Sequence, residues 1–406
     1  MSATEPVVIR DPLWSNIEVE PYALSVIDTQ PFQRLRYVRQ LGHAFLVYPG
    51  ATHTRFEHAL GAYHLARRAT AQLIHRGELD RPATDELRLI HLAALLHDVG
   101  HYPFSHALEE AGLLSHETLA ERHFCEPGLA RALDATGIPD VAPRLVAVIR
   151  GQSAERLQGL ISGSMDLDKI EYLARDARSC GVPYGQLDVD RLLDALAVVG
   201  RGSQSTIGVH VRGTSALESL LFAKYQMYRN VYWHHAVRSA TAMFKRVVRE
   251  AIRRQQVSTD WIAGSTDEVL MERLCALPDA PIAHRLRARS LYKRAIDLGA
   301  AELPDESGDW IALRPDRVAE LEDELARRHD LEPGGLLIDY PAKPAMLDVD
   351  LPVVHRNGET GRPQLELMRI AEALHASARR FRVFVAEPRT LDVGKILKLV
   401  ESAGGH

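Results

Sequence analysis

The 406-residue chain has few cysteines, no excess of positive charge and no long apolar run. Its three cysteines, Cys125, Cys180 and Cys275, are far apart and form no CxxC pair. We therefore expect neither a disulfide framework nor a cysteine-based zinc site. The formal net charge of -5 excludes a global positive field that would recruit nucleic acid. Residues 1–10 contain no long apolar segment and about 18 consecutive apolar residues occur nowhere, so the sequence predicts neither a signal peptide nor a membrane span. The cysteine usage predicts a cytoplasmic location.

The residues that are present suffice for a packed core, since 46% of them are hydrophobic. Alternating apolar and polar residues in the first twenty positions predict a short β-hairpin. From residue 22 to about 254, apolar residues recur at steps of three and four, which is typical of helices. The predicted helical segments are 56–76, 84–98, 105–124, 139–150, 166–179, 186–199 and 214–254, and one strand-like run covers 206–211.

The last part of the chain has a different pattern. Helices are predicted to continue to about residue 328, after which 336–340 and 381–385 are predicted as strands with a helix at 363–379 between them. The predicted fold class is mainly α, with a short N-terminal hairpin, a helical body over residues 1–295 and a small α+β part over residues 296–406. We expect this C-terminal part to dock subunits or to regulate the body.

An adjacent histidine and aspartate, His97 and Asp98, end an otherwise apolar run. They lie where a helix would normally bury leucine, and a carboxylate cannot be buried alone without a cation or a dense set of donors. A metal ion meets that need, and so does a structural hydrogen-bonded pair. The pair by itself leaves both interpretations open.

Other segments carry residue types that bind metals and phosphates. Arg55 and His58 are three residues apart at a predicted helix start, so their side chains point to the same side. Asp168, Tyr172 and Asp176 step by four and form one polar helix face. Such a face suits a metal at one end and a phosphorylated, sugar-bearing ligand along it. Further polar residues of this kind are His101, His106, His116, Glu117 and Lys169.

Two imidazoles and two carboxylates suit Mn, Fe, Ni, Co or Zn, and also Mg with waters completing its shell. Such an ion polarises a phosphoryl oxygen and lowers the pKa of a bound water, and phosphate-ester hydrolysis needs both effects. The reaction also needs cations near the phosphate, for which Arg55 and Lys169 are candidates. It needs a proton donor for the leaving oxygen, for which His106 or His101 is available.

The ordered set His58, His97-Asp98 and Asp168 resembles the HD-domain phosphohydrolase signature. Residues 28–36, 49–58 and 168–176 further resemble the SAM-and-HD-domain dNTP triphosphohydrolases and their bacterial relatives, and the similarity extends over residues 7–295. The resemblance implies hydrolysis of a dNTP to deoxynucleoside and triphosphate by attack of a metal-bound water at the α-phosphorus. It also implies a homo-oligomer, either a dimer or a tetramer.

The resemblance also implies a role for each matching residue. The implied metal ligands are His58, His97, Asp98 and Asp168. The implied catalytic residues around the α-phosphate are His101, His106, His116 and Glu117, with His106 as the expected proton donor to the 5′ oxygen. The implied substrate contacts are Gln40, Arg55, Lys169, Tyr172, Asp176, Lys224, Tyr228 and Tyr232, where Lys224 stands in place of an arginine of the family. An activating nucleotide is implied at Asp28, Gln33, Arg36, Arg289 and Lys293.

Two alternatives belong to other functional classes. Another HD hydrolase, acting on a nucleoside monophosphate, a cyclic dinucleotide or an alarmone, would share the metal site without needing Tyr232 at the sugar. A nucleotide-sensing or nucleic-acid-binding module would keep the fold without turnover. The implied activator residues also have structural alternatives: a network at a helix start for Asp28, Gln33 and Arg36, and a solvated helix face for Arg289 and Lys293. His53 receives no predicted role.

Overall fold

A computed structural model of the chain describes residues 5–79, 84–200, 205–303, 309–342, 350–362 and 371–404. The predicted N-terminal hairpin is confirmed, because β1 (Val7–Asp11) pairs antiparallel with β2 (Ser15–Val19). Its turn is closed by the Asp11 carboxylate, which accepts hydrogen bonds from the backbone N–H groups of Leu13 and Trp14, each at 2.8 Å.

Helices build most of the described chain, which confirms the predicted fold class. The first eight are α1 (Pro21–Ile27), α2 (Gln30–Arg34), α3 (Arg55–His75), α4 (Thr84–Leu96), α5 (His116–Phe124), α6 (Pro127–Asp134), α7 (Val141–Ile149) and α8 (Leu167–Cys180). The next six are α9 (Val189–Ala195), α10 (Thr214–Met227), α11 (His235–Arg253), α12 (Thr259–Gly264), α13 (Asp267–Cys275) and α14 (Pro281–Arg287). Short 3-10 turns cover Leu35–Tyr37, Gly42–Leu46, Ser105–Ala107, Gln158–Leu160, Pro183–Gly185, Val211–Gly213 and Ala300–Glu302.

Three of these helices, α3, α4 and α8, carry the predicted metal ligands and pack together in the largest core. Tyr63, Leu92 and Leu173, one from each helix, are fully buried in it. The start of α3 is fixed by a capping box, in which the Glu57 carboxylate accepts the backbone N–H of Thr54 at 2.7 Å. Helix α8 begins after Asp166, whose carboxylate accepts the backbone N–H of Lys169 at 2.9 Å. These caps set where each ligand-bearing turn begins.

Strands and further helices form the rest of the described chain. They are β3 (Leu196–Val199), β4 (Thr206–His210), β5 (Lys293–Gly299), α15 (Trp310–Leu313), α16 (Pro315–Arg328), β6 (Leu336–Asp339), β7 (Val353–Val354), β8 (Thr360–Gly361), α17 (Ala371–Ala378), β9 (Arg380–Val385) and α18 (Val393–Gly404). The strand order is β3-β4-β7-β8 in one sheet and β5-β9-β6 in the other. The predicted strands at 206–211, 336–340 and 381–385 are thus confirmed as β4, β6 and β9, whereas residues 363–370 of the predicted helix lie outside the described chain.

The β5-β9-β6 sheet packs against the helical body. Leu337 of β6 and Phe384 of β9 belong to one buried cluster with Phe244 of α11 and Phe104 of the loop that follows α4. A buried apolar interface of this kind holds the sheet firmly on the body. The predicted division between residues 295 and 296 falls inside β5, and it stays a prediction.

The predicted helix over 105–124 is wrong for its first half. Phe104 and Ser105 have positive φ angles of 59° and 57°, and Gly112 has a φ of 93°. These left-handed residues turn the backbone away from a helical path. Helix α5 therefore begins only at His116, after Ser115 caps it by accepting the backbone N–H of Thr118.

Three other predicted helices end early or are interrupted. The segment 186–199 ends as a helix at Ala195, because Leu196–Val199 pairs with β4. The segment 214–254 is broken by a π-helical turn at Tyr228–Tyr232, in which the Trp233 N–H bonds to the Tyr228 carbonyl. After residue 255, strand β5 interrupts the predicted helices, because it pairs with β9. Along the described ranges we find no helix with the length and hydropathy that crossing a bilayer would require.

Candidate active site

Three of the predicted metal ligands, His58, His97 and Asp168, converge on one point, and the fourth, Asp98, lies beside the two histidines. The Nε2 atom of His58 lies 3.1 Å from Asp168 Oδ1, 3.3 Å from Asp98 Oδ2 and 3.2 Å from His97 Nε2. The Nε2 atom of His97 lies 3.4 Å from Asp168 Oδ1. Residues from α3, from the end of α4 and from the first turn of α8 thus present two nitrogens and two carboxylates to a shared centre.

This donor set fits a divalent metal. Ligands about 2.1 Å from one ion lie about 3 to 3.4 Å from each other, close to the separations observed here. Burial lowers the pKa of His58, but hydrogen bonds to Asp168 and Glu171 outweigh it and raise that pKa to about 10. Burial raises the pKa of Asp98, but the Arg55 guanidinium holds it well below its usual range. The carboxylates therefore favour positive charge at this point, and a metal ion supplies it.

The other ring nitrogen of each ligating histidine is held by a protein group. His58 Nδ1 lies 2.6 Å from Glu171 Oε2, and His97 Nδ1 lies 2.9 Å from the Ala94 carbonyl oxygen. Such contacts fix the ring orientation and direct Nε2 toward the ion. Glu171 was not singled out from the sequence, although its position three residues after Asp168 puts it on the same side of α8.

Glu171 is in turn the centre of a buried network that reaches the N-terminal hairpin. Its Oε1 atom accepts hydrogen bonds from Trp14 Nε1 at 2.9 Å and from Arg175 Nε at 2.7 Å. Arg175 also donates to Asp11 Oδ2 at 3.0 Å. Because Glu171 and Arg175 are both buried, the pair depends on these contacts to offset its desolvation. The hairpin thus helps to hold the ring of His58.

The two cations predicted to hold phosphate are tethered near the metal ligands. Arg55 donates from Nη1 to Asp98 Oδ2 at 2.5 Å and from Nε to Ser105 Oγ at 3.0 Å. Lys169 donates to the Gly163 carbonyl oxygen at 2.8 Å and contacts the Asp166 carboxylate. Both side chains line the same cavity as Asp98 and Asp168, so a phosphate there would compete for their donors.

The predicted catalytic histidines form a second cluster beside the metal ligands. The ring centroids of His101 and His116 are 3.9 Å apart, and those of His101 and His106 are 4.7 Å apart. Glu109 bridges two of them, since its carboxylate lies 2.9 Å from His116 Nδ1 and 3.4 Å from His106 Nδ1. Glu117 lies on the other side of His116, with Oε1 3.5 Å from Nε2. Glu109 was missed from the sequence, where its spacing of three from His106 was the available signal.

The histidines of this cluster differ in protonation. Burial and the nearby Arg55 charge hold the pKa of His101 well below its usual value, so its ring is neutral. Among the described residues, neither ring nitrogen of His101 has a hydrogen-bond partner. Burial lowers the pKa of His116 as well, but its hydrogen bond to Glu109 outweighs this effect and raises the pKa. His116 therefore retains a proton at higher pH than an ordinary histidine.

Most of the predicted site residues line one cavity of about 620 Å³. His58 and His101 are fully buried behind its wall. Burial and the charge of Lys169 lower the pKa of Lys224, which faces this cavity, to about 8. The predicted residues that line the cavity are His97, Asp98, His106, His116, Asp168, Gln40, Arg55, Lys169, Tyr172, Asp176, Lys224, Tyr228 and Tyr232.

The end of the cavity away from the metal ligands is polar and aromatic. Asp176 accepts a hydrogen bond from the Tyr232 hydroxyl at 2.7 Å, and its other oxygen lies 2.8 Å from His53 Nε2. His53, which received no predicted role, therefore holds a predicted substrate residue. Gln40 is buried here, and its Oε1 has no hydrogen-bond partner in the described ranges. A buried acceptor without a partner is costly, and a ligand hydroxyl would satisfy it.

The C-terminal part contributes to this cavity, although the sequence predicted no residue there. Pro341 and Ala342, which follow β6, line it. Nearby, Arg238 of α11 donates to both carboxylate oxygens of Glu110, at 3.0 and 2.8 Å, and to both of Asp339, at 2.9 and 2.5 Å. This buried arginine joins β6 to the loop that carries His106 and Glu109.

The predicted activator residues are only partly brought together. Arg36 donates to Gln33 Oε1 at 2.8 Å and lies 3.5 Å from the centre of the Phe56 ring. Arg289 donates to the Leu46 carbonyl oxygen at 2.7 Å. Within the described ranges, no hydrogen bond or ion pair joins Asp28, Gln33 or Arg36 to Arg289 or Lys293. The activator site stays a prediction.

Comparison with protein families places the site in a known context. Residues 55–138 match the HD domain, and residues 187–400 match the HD-associated region. The first match begins at Arg55 and includes His58, His97, Asp98 and the whole histidine cluster. The second covers more than half of the chain and includes Lys224, Tyr228 and Tyr232.

Individual proteins show the same similarity. An uncharacterized protein of Methanocaldococcus jannaschii is 34% identical over 317 residues, which cover 78% of this chain and 65% of that protein. The deoxynucleoside triphosphate triphosphohydrolase SAMHD1 of Gallus gallus is 30% identical over 270 residues, which cover 56% of this chain and 42% of that protein. A crystal structure of a hypothetical protein from Aquifex aeolicus has a TM-score of 0.73 and 27% identity, covering 98% of this chain and 99% of that one.

The chain spans less than two thirds of the length of these two curated relatives, which extend beyond the shared region. The two family models together include His58, His97 and Asp98, the histidine cluster and Tyr232, whereas Asp168, Tyr172 and Asp176 lie between them. The chain belongs to the family of proteins that combine an HD domain with the HD-associated region.

Proposed function

We propose that this protein is a metal-dependent dNTP triphosphohydrolase, which converts a dNTP to deoxynucleoside and triphosphate. One observation carries the proposal: a single cavity is lined by metal donors, by Lys169, by residues of the histidine cluster and by the hydrogen-bonded Asp176–Tyr232 pair. A cavity of about 620 Å³ is of the size that binds nucleotide-sized ligands. The similarity to SAMHD1 supports the same substrate class.

Different residues serve metal binding, phosphate binding and proton transfer in the proposed reaction. His58, His97, Asp98 and Asp168 would hold a divalent ion, which would polarise a phosphoryl oxygen and lower the pKa of a bound water. Arg55 and Lys169 neutralise phosphate oxygens next to it, and Lys224 adds a charge farther along the cavity. His106 is the proposed proton donor to the leaving 5′ oxygen. Glu109 links it to His116, whose raised pKa keeps a proton in the cluster.

The aromatic end supports a deoxyribose ligand. The Gln40 amide oxygen and the Asp176 carboxylate are acceptors for a sugar hydroxyl, and both line the cavity. The Tyr232 ring stands 6.4 Å from that of Tyr172 and 5.1 Å from that of Tyr228. We propose that this close aromatic packing leaves no room for a 2′-hydroxyl, so that ribonucleotides are rejected.

Product analysis tests the proposal directly. Purified protein is incubated with each dNTP and either Mn²⁺ or Mg²⁺, and the products are separated by chromatography. We expect equal amounts of deoxynucleoside and inorganic triphosphate, and none with a chelator. Release of pyrophosphate with a monophosphate, or no turnover with any dNTP, would falsify the proposed reaction.

Substitution of Tyr232 distinguishes the proposal from another HD phosphohydrolase. We expect Tyr232→Ala to narrow the difference in kcat/KM between a dNTP and its NTP counterpart by about tenfold or more, since steric exclusion is worth roughly 1–3 kcal/mol. Tyr232→Phe, which removes only the hydroxyl bonded to Asp176, is the matched control and should keep the discrimination. If the wild type and both variants show the same ratio of kcat/KM for the dNTP over the NTP, the result would favour a hydrolase of another nucleotide class.

Nucleotide activation and oligomer formation are proposed only from the relatives. The residues concerned are Asp28, Gln33, Arg36, Arg289 and Lys293, with a dimer or tetramer as the expected assembly. Measuring the mass of the protein in solution with and without added dNTP tests both proposals together.

A further inference from the structure

The turn between α4 and the histidine cluster contains two consecutive residues with left-handed backbone conformations. Phe104 has a φ of 59° and Ser105 a φ of 57°. Glycine adopts this conformation readily, whereas two neighbouring residues with side chains are strained in it. Such strain persists only where the surrounding structure holds it, and it is common at active sites. Both residues line the active-site cavity, and His106 directly follows them.

Residues that are distant in the sequence hold this turn. The buried Asp267 carboxylate, at the start of α13, accepts the backbone N–H of Phe104 at 2.8 Å and that of Arg39 at 3.0 Å. The Phe104 ring stacks on the His43 ring, with their centroids 4.3 Å apart. Asp267 lies in the HD-associated region, whereas the turn lies in the HD domain. The associated region therefore helps to fix the backbone beside the catalytic histidines.

The hydroxyl of Ser105 joins two segments that carry predicted substrate contacts. Its Oγ atom donates to the Arg39 carbonyl oxygen at 2.7 Å and accepts a hydrogen bond from Arg55 Nε at 3.0 Å. Gln40, the residue after Arg39, lines the cavity together with Arg55. Because Ser105 is buried, both hydrogen bonds lie in an environment where they are stronger than in water. One hydroxyl therefore sets the position of Arg55 relative to the backbone beside Gln40.

The Arg55 guanidinium is held through two of its three nitrogens. Nε donates to Ser105 Oγ, and Nη1 donates to Asp98 Oδ2 at 2.5 Å. Toward the other described residues, Nη2 makes no hydrogen bond. Because the guanidinium is planar, contacts at two of its nitrogens also fix the direction of the third. This geometry leaves Nη2 as the donor for a phosphate oxygen in the cavity that Arg55 lines.

We propose that Ser105 is a positioning residue that directs Arg55 at the phosphate undergoing hydrolysis. The inference rests on the proposed function, because it takes Arg55 to bind phosphate there. Without the Ser105 acceptor, the guanidinium is held at Asp98 alone and rotates about that contact. The strained turn has a use in this arrangement: it presents Oγ to Arg55 while Asp267 holds the backbone.

Two substitutions at position 105 separate the role of the hydroxyl from that of the backbone. Ser105→Ala and Ser105→Gly both remove Oγ, but glycine also relieves the left-handed conformation. We expect both variants to keep the metal content of the wild type and to lose about 10–100-fold in kcat/KM, since misplacing a group by about 1 Å costs up to roughly 100-fold. Wild-type activity in Ser105→Gly would show that the backbone rather than Oγ matters, and it would overturn the proposal.

A double-mutant cycle tests whether Ser105 acts through Arg55. Arg55→Lys keeps a positive charge beside Asp98 but lacks the planar group whose Nε meets Oγ. In this background Ser105→Ala should lower kcat/KM by less than about twofold, because residues of one network are not additive. An equal loss in both backgrounds would contradict the proposal. Ser219→Ala, which removes an exposed hydroxyl of α10 bonded to the Ser215 carbonyl oxygen, is the control and should match the wild type.

Two substrates keep this test distinct from the test of the proposed function. Each variant is assayed with a dNTP and with bis(p-nitrophenyl) phosphate, a phosphodiester that needs no nucleotide recognition. If the wild type hydrolyses the diester alone, the dNTP reaction is excluded and the same cycle tests Ser105 on the diester. If the metal-loaded wild type hydrolyses neither substrate, both proposals are overturned.

Discussion

The Asp98→Asn substitution is expected to abolish stoichiometric metal binding and to reduce turnover by more than about 100-fold. Loss of a group that only orients a metal ligand already costs about 10–100-fold in affinity or activity, so loss of a direct ligand should cost more. Asp98 is 3% exposed, and its carboxylate faces His58 and His97 as well as Arg55. Asparagine keeps the shape but replaces a charged ligand oxygen with an amide group.

Stability must be measured together with metal content in this variant. The Asp98→Asn change also breaks the buried pair with Arg55, and removing one partner of such a pair typically costs about 3–5 kcal/mol. Thermal unfolding of the chelated proteins separates this cost from the loss of metal, which elemental analysis quantifies. Asp190→Asn, at a carboxylate that is 82% exposed, is the control and should match the wild type. A folded Asp98→Asn protein with one tightly bound metal would contradict the assignment of the ligands.

The metal ligands could be predicted because their signal is local in the sequence. His97 and Asp98 are adjacent, His58 follows a recognisable helix start, and Asp168 opens a helix whose polar face has a spacing of four. These patterns survive because His58 and Asp168 lie within the first turns of α3 and α8, and His97 and Asp98 directly follow the last residue of α4. Convergence on one point then follows from the packing of these three helices around buried residues such as Tyr63.

The supporting residues could not be predicted, because their partners are distant in the chain. Glu171 is 113 residues from His58 and 157 from Trp14, and His53 is 123 residues from Asp176. Nothing in the spacing of such residues indicates a contact. Only the packed fold brings them within hydrogen-bond distance, and burial then makes each contact energetically important.

The errors in the predicted helices have a similar origin. Strand β5 has the sequence KRAIDLG, and its charged residues are not typical of a strand. It forms because it pairs with β9. The break at Tyr228–Tyr232 is a π-helical turn, and its first and last residues, Tyr228 and Tyr232, both line the active-site cavity. Tertiary pairing and a single π-helical turn overrode the helical periodicity in these places.

The Glu109→Gln substitution is expected to shift the pH at which kcat/KM declines on the alkaline side to a lower value. A histidine that donates a proton must be protonated, and the rate therefore falls as the pH rises through its pKa. Glu109 raises the pKa of His116 through a hydrogen bond of 2.9 Å, and it also contacts His106. Removing its charge lowers that pKa, so the proton is lost earlier and kcat/KM declines at lower pH than in the wild type.

The complete pH profile of kcat/KM, with the metal concentration held saturating, measures this shift. His106→Gln should lower the rate by about 10²–10⁴-fold across the whole range, since general acid catalysis contributes that much. Glu121→Gln, at an exposed carboxylate of the same helix as His116, should leave the profile unchanged. A shifted limit in Glu109→Gln requires the titrating imidazole to lie beside Glu109, as the rings of His106 and His116 both do, and His106→Gln then shows whether His106 is needed for turnover. A Glu109→Gln profile that coincides with the wild type would show that neither His106 nor His116, the two histidines bonded to Glu109, sets the high-pH limit.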